Sequence, residues 1–270
     1  MAREPVLPSP DLDGIDLDRP NAARMYDYYL GGAHNFAVDR ALADEAIRAY
    51  PSLPAAAQAN RSFLRRIVHL ALARGITQFL DLGSGIPTVG NVHEIALRRE
   101  PDARVAYVDH EAVAVAHSRH LLRDVVGATV THADLRQVDE VCGAPGVREV
   151  LDLSRPVALL AIAVLHFVRD EDGPAELLRE YRRRLAPGSL IALSHSTDVH
   201  LPDSARRAAR AYRASANPIQ LRHPDELRHW LAHAGTELLP PEVVDVARWR
   251  EGRTEEAEPS GLYACLARVP

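Results

Sequence analysis

Five short apolar runs, Thr77–Leu82, Arg104–Val108, Thr129–His132, Val157–Val164 and Ser189–Ser194, alternate along the chain with longer stretches of helical spacing. Helices fit between them at about 89–99, 111–124, 136–150 and 173–185. Such alternation implies right-handed βαβ crossovers and a mainly parallel sheet. The run VALLAIAVL is apolar on both faces, as a central strand covered by helices on each side must be. Two later strand-like segments, Val243–Trp249 and Tyr263–Val269, flank a polar loop with Glu255, Glu256 and Glu258 and read as an antiparallel pair. The expected fold is α/β: a doubly wound, mainly parallel seven-stranded sheet with an antiparallel C-terminal edge hairpin, plus an N-terminal helical extension.

Residues 1–19 are rich in Pro and Asp, lack an apolar period and read as a flexible tail. Residues 20–75 read as a helical cap or lid. Ala22, Met25, Tyr26, Tyr29 and Leu30 share a helix face that should stop at Gly31-Gly32, and helices over about 36–49 and 55–74 follow, the last closing at Gly75. Residues 76–270 form the α/β domain, with further helical stretches at 203–214 and 224–234.

Composition excludes several chemistries. All 32 basic residues are arginine, so neither a Schiff-base lysine nor a P-loop lysine is available. A net charge of −5 with scattered arginines argues against nucleic acid as the main partner. Cys142 and Cys265 form no metal-spaced set or disulfide framework, and no metal site is expected. The longest apolar run, Val157–Leu165, is far short of the ~20 residues a membrane span needs, and no signal-peptide core is seen. A cytoplasmic setting is expected.

In a doubly wound sheet the ligand sits at the carboxyl ends of the strands. Asp81 and Gly83-Ser84-Gly85 close the first strand, the glycines letting the backbone turn tightly beside a ligand. A dinucleotide fingerprint would need glycine at position 88, where Thr88 stands, and Asp81 would repel a pyrophosphate while suiting a cationic group. Asp109, 24 residues after Gly85, closes the second strand near the offset of roughly 20 at which such folds place a ribose-binding acid. Asp134 and Leu135 close the third and suit an adenine amine and ring. Val164 and His166 close the fourth, and His166 could serve as a base near neutral pH.

DLGSG, YVDH, HADL, AVLHFV and LAPGSLIALSH together resemble the motif series of class I, Rossmann-like S-adenosylmethionine-dependent methyltransferases. PNAARMYDYYLGGAHNFAVDR, ANRSFLRR and FLDLGSGIPTVGNVHE resemble more closely an actinobacterial S-adenosyl methyltransferase subfamily, over about Arg19 to Trp249. The resemblance implies S-adenosylmethionine as donor and S-adenosylhomocysteine as product. It places Asp81, Gly83 and Gly85 beside the methionine part, Asp109 and His110 by the ribose, and Asp134 and Leu135 by the adenine, with Ser84 and Val164 as further cofactor-binding candidates. Cap helices commonly lie over the cofactor in this class, which makes Arg24, Tyr26, Tyr29, His34 and Asn35 candidates. Either Arg24 or the pair Asn60-Arg61 would clamp the methionine carboxylate, bidentate pairing favouring arginine.

Methyl transfer from a sulfonium needs an aligned nucleophile and a dry site, and a base only for a hydroxyl or a protonated amine. His166 is the first candidate for that base, then His34 or His195. Tyr212, Asn217 and Trp230 either line an acceptor pocket or pack. The acceptor is expected to be a small molecule, with no nucleic acid or membrane partner. The rival readings are a non-catalytic S-adenosylmethionine-binding protein and a nicotinamide-dependent oxidoreductase.

Overall fold

The computed structural model describes residues 18–87, 90–197, 199, 203–212, 215–250, 253–254 and 259–270. Most of the expected tail, Thr88 and the polar loop with Glu255, Glu256 and Glu258 lie outside the described residues. Arg19 belongs to the folded body, its guanidinium donating to the Ser215 carbonyl at 3.1 Å.

Three helices open the chain: α1 Ala22–Tyr29, α2 Ala37–Ala49 and α3 Leu53–Ala73. Asn21 caps α1, its side chain accepting from the Ala23 amide. Alternation then follows through β1 Gln78–Leu82, α4 Val92–Arg99, β2 Arg104–Asp109, α5 Ala112–Leu121 and β3 Ala128–His132. The stretch expected as one helix over 136–150 is two, α6 Val138–Gly143 and α7 Pro145–Arg148, because Pro145 cannot continue a helix and instead starts the next. Next come β4 Ala158–Ile162, α8 Pro174–Arg184, β5 Leu190–Ser196, α9 Asp203–Ala211 and α10 Pro224–His233. Short strands β6 Glu237–Leu238, β7 Val244–Asp245, β8 Trp249–Arg250 and β9 Arg253–Thr254 precede the long β10 Leu262–Arg268.

The main sheet runs β3-β2-β1-β4-β5-β10-β6, with β1 to β5 parallel and β10 antiparallel to its neighbours. Strand order reverses between β1 and β4, whose residues are nearly all buried. The seven strands on this path are joined by β7, which pairs with β10 for only two residues. The expected hairpin partner Val243–Trp249 is thus interrupted. The Asp245 carboxylate accepts from the amides of Ala247 at 2.9 Å and Ser260 at 2.7 Å, turning the chain so that Trp249 packs edge-on against Phe63 of α3. Two apolar layers flank the sheet, one around Leu159, Leu165, Tyr181 and Trp230, the other around Phe63, Ile67, Phe79 and Trp249.

Helices α1 and α2 form a separate apolar cluster with Tyr212 and Ala57, around Met25, Tyr29, Leu42 and Ala43. Apolar clusters join this cap to the rest of the chain, Ala46 with Ala205 and Ala208 and Ala23 with Val113 and Ala114, and a buried ionic contact adds to them. Arg24 is buried, its Nε 2.8 Å from Asp39 of α2 and its Nη1 3.3 Å from Glu111 at the start of α5. Asn21 adds a 2.6 Å hydrogen bond to Glu111, and its own amide donates to Asp39. The expected role of Arg24 as a carboxylate clamp is therefore corrected: its donors are consumed by Asp39, Glu111 and the Arg19 carbonyl. Arg24→Ala strands two partly or fully buried carboxylates, and a loss of about 3–5 kcal/mol is expected in chemical denaturation.

Candidate active site

A large cavity opens at the carboxyl ends of β1 and β4, where the strand order reverses. Its wall on the sheet side holds Asp81, Gly83, Ser84, Gly85, Asp109, His110 and Val164. Tyr26 and Tyr29 of α1 and Asn60 and Arg61 of α3 contribute from the helical extension, while Ala205, Ala208 and Tyr212 extend the wall away from the glycines. One space thus joins a polar, acid-bearing half to a half dominated by apolar and tyrosine side chains.

Gly83 and Gly85 both have left-handed backbones, φ +65° and +67°, but for different ends. A Cβ on Gly83 would lie 2.1 Å from Val164 Cγ2, so this glycine lets the loop pack on the turn that follows β4. A Cβ on Gly85 would meet no protein atom within 4 Å, so its bare face is left open. Asp109 fixes this loop: its Oδ2 accepts from the Gly85 amide at 2.7 Å and its Oδ1 from the Glu111 amide at 2.8 Å. Asp81 is buried, and among the described residues none donates a hydrogen bond to its carboxylate. Burial drives its pKa up to about 7; Arg61 opposes this and Asp109 adds to it.

His166 lines the cavity from a 3₁₀ turn, Leu165–Phe167, rather than from the strand itself. The expected strand over 157–164 ends at Ile162 because Ala163 adopts φ 55°, a left-handed backbone unusual for a residue other than glycine. His166 Nδ1 accepts from the Ser196 amide at 3.4 Å and lies 3.2 Å from the Ser196 hydroxyl. Burial, His195 and Arg222 hold its pKa well below the usual imidazole range. The ring is neutral with Nδ1 as acceptor, which leaves its proton on Nε2.

Other expected residues lie elsewhere. Asn35 is buried in the cap, donating to Asp27 at 2.8 Å and to the Gly32 carbonyl. Asp134 is held by Arg136 of its own loop at 2.6 Å, and Arg136 also reaches Asp172. Leu135 is buried in the core beside Tyr181, whose hydroxyl donates to the Leu135 carbonyl. None of these three lines the cavity. His34 instead meets His117 edge-on at 4.2 Å. His195, on β5, is held at both ring nitrogens: Nδ1 bonds the Ser196 carbonyl and Nε2 accepts from Arg222, which lies over Trp230. Trp230 therefore packs, whereas Tyr212 and Asn217 line the cavity. Glu111, Ser196 and Ala163 also line it and were not singled out from sequence; Glu111 was readable as the acid two residues past Asp109. Among the described residues no group of three or more His, Cys, Asp or Glu side chains could hold a metal ion, and no helix is long and apolar enough to cross a membrane.

The family model for S-adenosyl methyltransferases matches residues 9–270. The chain belongs to the S-adenosyl methyltransferase family. A proposed methyltransferase from Thermobifida fusca is 37% identical, with a TM-score of 0.88 over 98% of this chain and 99% of that one. A DUF574-family protein from Streptomyces avermitilis is also 37% identical, with a TM-score of 0.87 over 94% and 99%. Human N-acetylserotonin methyltransferase, crystallised with S-adenosylmethionine, shares the fold at 16% identity and a TM-score of 0.51, covering 92% of this chain and 62% of that one. A search of curated proteins found no match. The family member described here is an S-adenosylmethionine-dependent methyltransferase.

The two glycines separate stability from binding. Gly83→Ala should cost on the order of 2–4 kcal/mol in denaturation, combining a left-handed backbone with overpacking against Val164. Gly85→Ala should cost only about 1–2 kcal/mol, from its backbone alone, yet weaken S-adenosylhomocysteine binding in calorimetry.

Proposed function

We propose that the protein methylates a small, largely apolar molecule held in the half of the cavity lined by Tyr26, Tyr29, Phe167, Ala205, Ala208 and Tyr212. The observation that carries this reading is the continuity of that half with the acid-and-glycine turn at the ends of β1 and β2. When bound, S-adenosylmethionine supplies a methyl group on a sulfonium whose departure as a neutral thioether calls for no acid. The residues fit the methionine and ribose ends of this group. The unpartnered Asp81 carboxylate receives the methionine ammonium, Gly85 leaves the backbone approachable, and Asp109 keeps lone pairs for the ribose hydroxyls. Arg61, on the cavity wall with one donor already on the Gly90 carbonyl, is the clamp for the methionine carboxylate in place of Arg24.

Asp134 and Leu135 are not assigned to the adenine, since both are engaged away from the cavity. His166, neutral and protonated on Nε2, serves as a hydrogen-bond donor toward the acceptor rather than as the base. Orientation of acceptor and donor within the cavity therefore supplies most of the rate enhancement available to these residues.

Calorimetry with S-adenosylmethionine and S-adenosylhomocysteine, with NAD as control, tests the donor site: micromolar binding that Asp109→Ala abolishes is expected. Binding should strengthen from pH 6 to pH 8, because Asp81 pairs with an ammonium only when ionised and its pKa is about 7. The sign for stability is opposite. A carboxyl whose folded pKa is raised binds more protons folded than unfolded, so the empty protein loses stability as pH rises from about 4 through 7. Asp81→Asn should accordingly raise the melting temperature at pH 8 while removing binding. The small-molecule reading is tested by incubation with methyl-labelled donor and an actinobacterial extract. Label is expected in the low-mass fraction; label confined to protein or nucleic acid would contradict it.

A further inference from the structure

A hydrogen-bond chain, buried at its centre, connects the cap to the cavity wall, and its direction is fixed at every link. The Ala163 amide can only donate, and it donates to Ser194 Oγ at 2.9 Å. The Ser194 hydroxyl proton goes to Asn60 Oδ1 at 2.6 Å. That contact orients the Asn60 amide so that Nδ2 donates to the Tyr26 hydroxyl at 3.0 Å. Tyr26 passes its proton to the Ala57 carbonyl at 3.2 Å, which can only accept. Each hydroxyl in the chain accepts once and donates once, and both Asn60 and Ser194 are buried.

The far end of this chain is the left-handed Ala163. Its amide is held twice, by the Ser194 hydroxyl and by the Ser194 carbonyl at 3.1 Å. A non-glycine residue in this conformation persists only where its surroundings over-determine it. The next residue, Val164, is the one packed so closely on Gly83 that no Cβ fits between them. The near end is Tyr26, on the first cap helix. Seating of the cap and the shape of the glycine turn are thus connected through one side chain.

We propose that Asn60 is a positioning residue that transmits the seating of the cap, through Ser194 and Ala163, to the turn that receives the donor. The proposal rests on the donor site assigned above. Tyr26 and Asn60 themselves line the cavity, so substitution there would confuse contact with transmission. Ser194 does not line it and separates the two. Ser189, the residue just before the same strand, offers a matched control: it is also fully buried, and its hydroxyl accepts from the Val157 amide at 3.0 Å, at the other end of the strand pair.

The test is calorimetry with S-adenosylhomocysteine on full-length variants, beside their melting temperatures. Ser194→Ala is expected to weaken binding about tenfold, because it cuts the chain at a residue outside the cavity wall. Ser189→Ala should lower the melting temperature comparably and leave affinity within about twofold, as a residue with packing duties alone would. Should Ser194→Ala fail to fold, Ser194→Cys keeps the volume while weakening both hydrogen bonds, with the same loss of affinity expected. Equal affinity in the Ser194 variants and wild type overturns the relay and leaves the donor site standing. Absence of binding by the wild-type protein overturns both.

Discussion

The buried guanidinium of Arg24 is the contact on which the geometry of the site depends. It bridges Asp39 of the second cap helix and Glu111 of the α/β domain, and Glu111 lies two residues beyond Asp109, whose carboxylate binds the Glu111 amide. One turn therefore carries both the anchor of the cap and the acid assigned to the ribose. Exposed ion pairs contribute little because water screens them; an arginine shared between carboxylates in a dry interface is strongly felt when it is removed. The cap is held by this charge contact together with apolar packing on α9 and the start of α5.

The other electrostatic feature is costly rather than stabilising. Asp81 stands in the apolar first strand with no described donor, and its raised pKa records the energy of keeping it there. Asp109, its neighbour in the cavity wall, is satisfied by backbone amides. Two acids at adjacent strand ends, one satisfied and one waiting, suit a ligand with a cationic end and a hydroxyl-bearing middle. The same arrangement would be poor for a pyrophosphate. Functional sites commonly retain such unfavourable charges because the ligand completes them.

The fold was legible because its signal is repetitive: apolar runs at βα spacing and a doubly apolar central run leave few alternatives. Asp81, Gly83, Gly85 and Asp109 were legible for the same reason, since strand ends converge in any such sheet. Arg24 was not, because its two carboxylate partners lie 15 and 87 residues away in sequence and only the folded chain shows that they consume it. Asp134 does not line the cavity, and its partner was close at hand in sequence, the Arg136 two residues on. Ala163 gave no sign, because its left-handed backbone is imposed by Ser194 and not by a glycine. The Val243–Trp249 strand failed at Asp245, whose side chain competes for backbone amides that a ladder would have used.

The central claim is that the turn at Asp81–Gly85 and the Asp109 carboxylate hold the methionine and ribose ends of the donor beneath the cap. A crystal structure of the protein soaked with S-adenosylhomocysteine tests it most directly. The account predicts the ligand's ammonium on Asp81, its ribose hydroxyls on Asp109 and its sulfur facing the apolar half lined by Tyr29 and Tyr212. Ligand density elsewhere, or in this cavity with the ribose away from Asp109, would contradict it.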